Sequence, residues 1–591
     1  MLPGYADYET YRKELESIAR SRLCVLRSLG RTLGGREVYV LEIGSGKRHD
    51  RPAILIVGSV HPPHLLGSEL AVRLARRLVE EGQSDAGVAR VLGAVTFYVI
   101  PRPSPDACEA MFRRPYVERA GNERPADDDH DGADDEDGPD DLDGDGRITM
   151  MRVEAPAGQY LAHPKDPRVL AKADPRKNQR GRWSLHVEGR DNDADEQQGE
   201  DPPGGTEFNR NFTFNYGYFE RGAGPHQVSE VETRAVADFA FDHPNIAAVL
   251  AFTLEDNLMR PWKPHAAGES AKIKTRVLAS DAGYFDYVAE EYRKIRGLER
   301  APESPEGRGS FSQWAYFHFG RWSFGCRGWW VPGTEDVEGG KSASHGPSPP
   351  TPLPASEAKG EEAKKVEAKG LSKPAIPTQQ AAADAKDKPD EKAAEARRVA
   401  QELSALKWFT REKIDGFVPW KRIEHPDFPG RAVEVGGFAP FVRLNPPARE
   451  LEKLADAHWK FLRRLVELLP RLSIEELKAE PLGEGVWRVK ATVLNQGFLP
   501  TVSEMGRITG EPLPLQAALE LPKAAALVTG HARVQLPTLA GSGGKAEPTW
   551  LVRASERGET PVRLRVWSLS VGEASKSVVL ATRQQRKRGQ P

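Results

Sequence analysis

The strongest constraint on this chain is Ile54-Leu-Ile-Val-Gly-Ser-Val60, followed by His61-Pro-Pro-His64 and Leu65-Leu-Gly-Ser-Glu69. A short unbroken apolar run reads as a strand buried on both faces of a parallel sheet. Leu66, Leu70, Leu74 and Leu78 recur every four residues, which reads as a helix folding back over that sheet. The two histidines then fall in the turn outside the strand's carboxyl end, where open α/β sheets hold their ligands.

Flanking segments extend the pattern. Tyr8 to Arg20 reads as an amphipathic helix, and Glu37 to Ile43, Ala94 to Ile100 and Ile246 to Phe252 read as strands. Ser229-Glu-Val-Glu232 has capping-box spacing ahead of a helical repeat. Thr275 to Ile295 reads as a long helix, and Leu451 to Leu469 as a cleanly amphipathic one. The fold class expected is α/β: a mixed, mainly parallel sheet with helices on both faces. From Ile474 onward short alternating segments, such as Val486 to Val493 and Val562 to Val571, lie between Gly/Pro turns. These predict a C-terminal antiparallel β-sandwich. Residues 335–400, rich in Lys, Glu, Ala, Pro and Ser, cannot bury a core and read as a disordered insertion or tether. The expected division is an α/β domain over 1–334, the tether over 335–400, the rest of the α/β domain over 401–472, the sandwich over 473–583 and a basic tail over 584–591.

Lys plus Arg number 84 against 86 Asp plus Glu, a net charge of −2. That balance supplies no electrostatic argument for nucleic acid or an anionic membrane. Cys24, Cys108 and Cys326 lie far apart and suggest neither a disulfide framework nor a CxxC metal site. No apolar run approaches the ~20 residues of a spanning helix. The N-terminus lacks a basic patch followed by an apolar core, so no signal peptide is visible. The compartment stays open.

The strand–His–helix arrangement resembles the zinc carboxypeptidases of the carboxypeptidase A/B type. Gly204-Gly-Thr-Glu-Phe-Asn209-Arg210-Asn211-Phe212 is similar to that family's Asn-Arg-Asn-Phe stretch. The resemblance implies that Asn209 and Arg210 hold the C-terminal carboxylate of a bound peptide, since a guanidinium grips a carboxylate through two parallel hydrogen bonds. It also implies a zinc ion bound by a His-x-x-Glu turn and a later His, with a Glu as general base. Here the turn ends in His64 instead of Glu, Thr253 takes the third-ligand position, and Arg327 takes that of the base. Glu255 and Asp256 stand close enough in sequence to Thr253 to replace the missing ligand.

A zinc peptidase needs three protein ligands, an open position for water and a carboxylate to take the water's proton. Two histidines alone hold Zn²⁺ weakly. Arginine accepts no proton near neutral pH, and beside the metal it repels the cation. The sequence therefore predicts a cleft that binds peptide C-termini or other carboxylates with peptidase activity lost or much reduced. The competing expectations are an active metallocarboxypeptidase using His61, His64 and Glu255 or Asp256, and a structural or assembly protein. Separately, Asp127-x-Asp129-x-Asp131-Gly132 and Asp141-x-Asp143-x-Asp145-Gly146 form the front half of an EF-hand-type calcium loop without its position-twelve Glu. A solvated acidic loop is the alternative reading.

Overall fold

The computed structural model describes residues 4–127, 132–193, 198–199, 201–202, 204–264, 274–305, 307–335, 391–555 and 558–581. Asp129, Asp131, most of the expected tether and the basic tail lie outside them.

The apolar run forms the strand Ala53–Val57, with every residue buried. It lies in the middle of a six-stranded sheet. The strands are, in spatial order, Cys24–Arg31, Glu37–Ile43, Thr96–Ile100, Ala53–Val57, Ile246–Phe252 and Trp322–Cys326. Ala53–Val57 pairs in parallel with both neighbours, and Trp322–Cys326 continues the parallel half. The first two strands form an antiparallel hairpin and pair antiparallel to Thr96–Ile100. The sheet is therefore mixed. Each large aliphatic side chain of the central strand contributes about 1.5–3 kcal/mol by leaving water, and burial on both faces explains the unbroken apolar spelling.

The helix Leu66–Ser84 follows the central strand and buries Leu66, Leu70, Leu74 and Leu78. Two glycines set the closeness of this crossing. A Cβ on Gly58 would lie 2.5 Å from the Pro101 carbonyl oxygen and 2.7 Å from that of Gly67, while one on Gly67 would lie 2.4 Å from the Ser59 amide nitrogen. Ser59 takes a left-handed φ of 36°. Its hydroxyl donates to the His64 carbonyl at 2.9 Å and accepts from the Ser68 amide at 2.8 Å. Asn445 closes the turn from the far part of the chain. Its Nδ2 donates to the carbonyls of Pro63 (2.8 Å) and Phe441 (3.1 Å), and its Oδ1 accepts from the Leu66 amide at 3.0 Å.

The helix Leu451–Leu468 packs between Leu66–Ser84 and Ala279–Arg296 with its Leu, Ala and Phe face inward. The helix after Ser229 starts at Val231. Its N-cap is Glu230 with no side-chain cap bond, because the Ser229 hydroxyl donates to Glu230 and accepts from the Asn211 amide instead. Ala279–Arg296 starts four residues later than the spacing suggested.

A second six-stranded sheet is antiparallel. It joins Phe417–Ile423 and Val433–Phe438 to Met150–Glu154, Trp183–Val187, Tyr160–His163 and Asp166–Lys172. The helix Glu391–Glu412 packs against its last strand through Val399, Leu406 and Val169. Two further antiparallel sheets follow Leu472. Trp487, Val489, Ala491 and Val493 of one share a core with Ala517, Val562, Leu564 and Val566 of the other. Alternate residues of each strand point into that core, which explains the period-two spelling.

Asn445→Ala is expected to lower the unfolding free energy by about 2–4 kcal/mol, because it leaves the buried Leu66 N–H and the buried Pro63 carbonyl without partners. A urea melt of the purified chain measures it. A change below 0.5 kcal/mol would show that the turn holds without this clamp.

Candidate functional site at the carboxyl ends of the parallel strands

The topology brings three loops together. His61 follows the end of Ala53–Val57, Thr253 to Asp256 follow Ile246–Phe252, and Arg327 follows Trp322–Cys326. These strands are adjacent and parallel, so all three loops open on one edge. The chain leaves the central strand to pair Thr96–Ile100 on one side and later returns to pair Ile246–Phe252 on the other, which leaves a crevice there.

His61 is surrounded by hydrogen-bonding groups. Asn209 Nδ2 lies 3.2 Å from its Nε2, while the Thr253 hydroxyl and the Leu254 amide each lie 3.4 Å from its Nδ1. Asn209 Oδ1 is fixed as an acceptor by the Phe311 amide at 3.0 Å, so the amide presents its NH2 to the ring. Either assigned tautomer therefore faces its lone pair with an N–H. Burial pushes the His61 pKa down to about 4, helped by the Arg327 charge.

His64 is fully buried, and neither ring nitrogen makes a hydrogen bond. The Arg327 backbone comes near without good bonding geometry. Burial first, then the neighbouring His61 and Arg327, push His64 down to about 3. Beside it lies His458, which the sequence pattern marked only as a helix-face residue. Its Nδ1 contacts the Leu454 carbonyl at 2.7 Å, and its Nε2 lies 3.1 Å from the Tyr292 hydroxyl and 3.2 Å from Arg296 Nη1. It too is pushed down to about 3, chiefly by burial and then by Arg296. A single His inside an amphipathic repeat carries no sequence signal that it will meet another histidine.

The two carboxylates behind Thr253 differ. Asp256 is spent on the main chain. Its Oδ1 accepts from Leu258 (3.1 Å) and Met259 (2.7 Å), and its Oδ2 from the Arg327 amide at 3.0 Å. Glu255 Oε1 accepts from Asn209 Nδ2 at 2.8 Å. Burial pushes the Glu255 carboxyl up to about 7, against the bonds from Ser310 and Asn209. The Arg327 guanidinium donates to the carbonyls of Leu254 (3.1 Å) and Glu303 (3.0 Å).

Arg327 also lines a cavity of about 490 Å³, walled by Leu254, Trp329, Trp330, Val331, Arg398 and Arg443, with Glu118, Glu303 and Glu402 among its polar residues. Arg210 points elsewhere. Its Nη2 bonds Glu220 at 2.8 Å, and Arg308 contacts the same carboxylate. The structure thus brings His61, Asn209, Thr253, Glu255 and Arg327 into one cluster and pairs Arg210 outside the cavity wall.

Among the described residues, two sets of three side chains place potential metal-binding atoms within 4.8 Å of one another: Glu42, His49, His243 and Asp141, Asp143, Asp145. His61, His64, Glu255 and Asp256 form no such set. In the acidic loop, Asp141 accepts from the amides of Asp145 and Gly146, and Asp143 from that of Asp145. Asp127 accepts from the Gly132 amide.

Residues 11–137 match the family model described as zinc carboxypeptidase. Residues 471–579 match a second model, described as a domain of unknown function (DUF8731). Carboxypeptidase A4 of Mus musculus is 28% identical over 105 residues, 17% of this chain and 25% of the relative. Carboxypeptidase M of Mus musculus is 27% identical over 112 residues, 18% and 25% of the two. The chain thus spans about a quarter of the length of the curated relatives it matches. Among solved structures, carboxypeptidase A of Helicoverpa armigera aligns over 54% of this chain and 63% of its own, at 15% identity and a TM-score of 0.31. Among the described residues no helix is long and apolar enough to cross a membrane.

His61, His64 and His458 all have folded-state pKa values below the ordinary 6.5. The unfolded chain then binds more protons as pH falls from 6.5, so stability is lost on acidification, by up to about 1.4 kcal/mol per pH unit for each histidine. Glu255, pushed upward, opposes this between pH 4.5 and 7. His458→Gln is expected to flatten the fall between pH 6 and 4 by close to one histidine's share. Denaturant melts across that range check it, and an unchanged slope would contradict the assigned neutral state.

Proposed function

We propose that this chain is a zinc-carboxypeptidase-like protein whose cleft takes the carboxylate end of a peptide, or another carboxylate, and hydrolyses it slowly or not at all. The observation carrying this reading is the state of the donors. Each His61 tautomer has its lone pair met by an N–H, and Asp256 is used up on three amides. An arginine stands where a proton acceptor is required. This donor set does not fit a three-ligand zinc centre. Arg327, on the wall of a cavity with Trp329 and Trp330, offers a guanidinium for the carboxylate and an apolar surface for the last side chain. Asn209 orders the same cluster. Arg210 reaches a ligand only by leaving Glu220.

A second reading, an active metallocarboxypeptidase, draws support from Glu255. Its carboxyl, pushed up to about 7, has the pKa suited to a general base, and His64 keeps two unbonded ring nitrogens. The two C-terminal sheets read as a β-sandwich that packs or binds and takes no part in chemistry. The division into α/β domain and sandwich belongs to the same proposal, with one correction: residues 391–400, expected in the tether, belong to the helix Glu391–Glu412 and pack on the second sheet through Val399. The converging Asp141, Asp143 and Asp145 carboxylates suit a hard cation such as calcium, which would order that loop only.

The test uses the full chain and a short peptide with a free C-terminus beside its amidated twin. Fluorescence titration is expected to show binding of the free form alone, lost by tenfold or more in Arg327→Ala and much less in Arg210→Ala. No release of the terminal amino acid is expected with zinc added. Equal binding of the amidated peptide would remove the carboxylate reading. Zinc-dependent release abolished by His61→Ala would establish the active enzyme instead.

A further inference from the structure

We infer that Glu42, His49 and His243 form a binding site for a zinc-class transition-metal ion at the end of the central sheet opposite the cleft. The three residues come from different segments: the strand Glu37–Ile43, the turn Arg48–Asp50 and the residue capping the helix Val231–Asp242. His49 precedes the start of Ala53–Val57, and His243 precedes that of Ile246–Phe252. Both histidines therefore lie at the strands' amino ends, away from His61.

Their potential ligand atoms lie within 4.8 Å of one another, and His49 Nε2 is 3.7 Å from Glu42 Oε2. Ligand atoms around a tetrahedral Zn²⁺ with bonds of 2.0–2.1 Å stand about 3.4 Å apart. The side chains therefore need to close by at most about 1.4 Å along any pair, within the reach of small rotamer adjustments.

The outer groups already orient the ligands. His243 Nδ1 contacts the Phe239 carbonyl at 2.6 Å, so Nδ1 carries the hydrogen and Nε2 holds the lone pair. His49 Nδ1 lies 3.0 Å from the Tyr98 hydroxyl, which in turn bonds Asn245. An imidazole whose second nitrogen is held by a carbonyl or hydroxyl is the arrangement that metal-binding histidines use. The His243 ring stacks on Phe239 at 3.9 Å and meets Tyr98 edge-on at 4.8 Å, which fixes its plane.

Glu42 supplies the charge. Its side chain is 2% exposed, too buried for a carboxylate without partners. Arg27 Nε lies 2.9 Å from Oε1 as an ion pair, from a side chain that is itself 56% exposed, yet Oε1 makes no hydrogen bond, and Oε2 stands 3.7 Å from His49 Nε2. Two imidazoles with one carboxylate favour zinc, cobalt, nickel or copper over calcium or magnesium. A bound ion would tie residues 42, 49 and 243 together and cross-link segments about 200 positions apart.

The test is metal titration of the tag-free, EDTA-treated full chain. Co²⁺ is followed by its visible absorption and Zn²⁺ by equilibrium dialysis. One saturable equivalent is expected, with a four-coordinate cobalt band that Zn²⁺ displaces. His49→Ala and His243→Gln are each expected to weaken binding by about 100-fold and abolish the band, while His61→Ala keeps both. His49 is exposed, so His49→Ala decides the matter even where His243→Gln disturbs the fold. No saturable binding, or a cobalt band that survives His49→Ala, overturns the inference. Loss in His61→Ala alone would move the metal to the cleft and overturn it equally.

Discussion

The close approach of strand and helix at Gly58 and Gly67 is what the cleft depends on. The gaps that hypothetical Cβ atoms would find there, 2.4 to 2.7 Å to backbone atoms, are smaller than any side chain tolerates. Bringing backbones this near obliges the chain between them to turn within a few residues, and the backbone groups of that turn must bond inside the protein. Ser59 and Asn445 supply those bonds. Asn445 also makes the turn depend on a residue almost four hundred positions away. The His61 loop therefore takes its shape only when the later part of the chain has docked.

The same accounting shapes the rest of the cleft. Asp256 is a carboxylate used as a cap: it accepts from the amides of Leu258, Met259 and Arg327 and so splices two adjacent loops. Arg327 then closes over Leu254 and Glu303 by donating to their carbonyls. A charged pair spread over five backbone groups gives a stiff wall. Stiffness of this kind suits recognition, because little ordering is left for a ligand to impose.

The central strand, the helix after it and the cluster of His61, Asn209 and Arg327 were legible because each is spelled by local pattern or motif. The antiparallel sheet containing Met150–Glu154 and Val433–Phe438 was not. Its strands are short and only half buried, and Met150–Glu154 joins a partner nearly three hundred residues later. No local period announces such a pairing. Ser229 shows a different failure. The capping-box spacing is present, yet Asn211 claims the hydroxyl, so tertiary bonding overrides the local cap. Arg210 fits its motif perfectly by spelling, while the Glu220 that pairs with it lies in a loop the motif does not cover.

Histidine shows how far environment outweighs residue type in this chain. At the carboxyl edge of the sheet His61 meets N–H groups on both sides, and His64 is buried between His61, His458 and the Arg327 backbone with no side-chain hydrogen bond. Both are held neutral by burial beside an arginine. At the amino edge, His243 and His49 each give one nitrogen to an oxygen, and His49 Nε2 stands 3.7 Å from the buried Glu42 carboxylate. The side chain is the same, but the first pair has its lone pairs blocked or stranded next to a positive charge, and the second stands beside a negative one. A cation entering this sheet would meet repulsion at the edge where the family resemblance looks for it and attraction at the other. The two proposals thus divide one sheet by electrostatics, with the anion at its carboxyl edge and the metal at its amino edge.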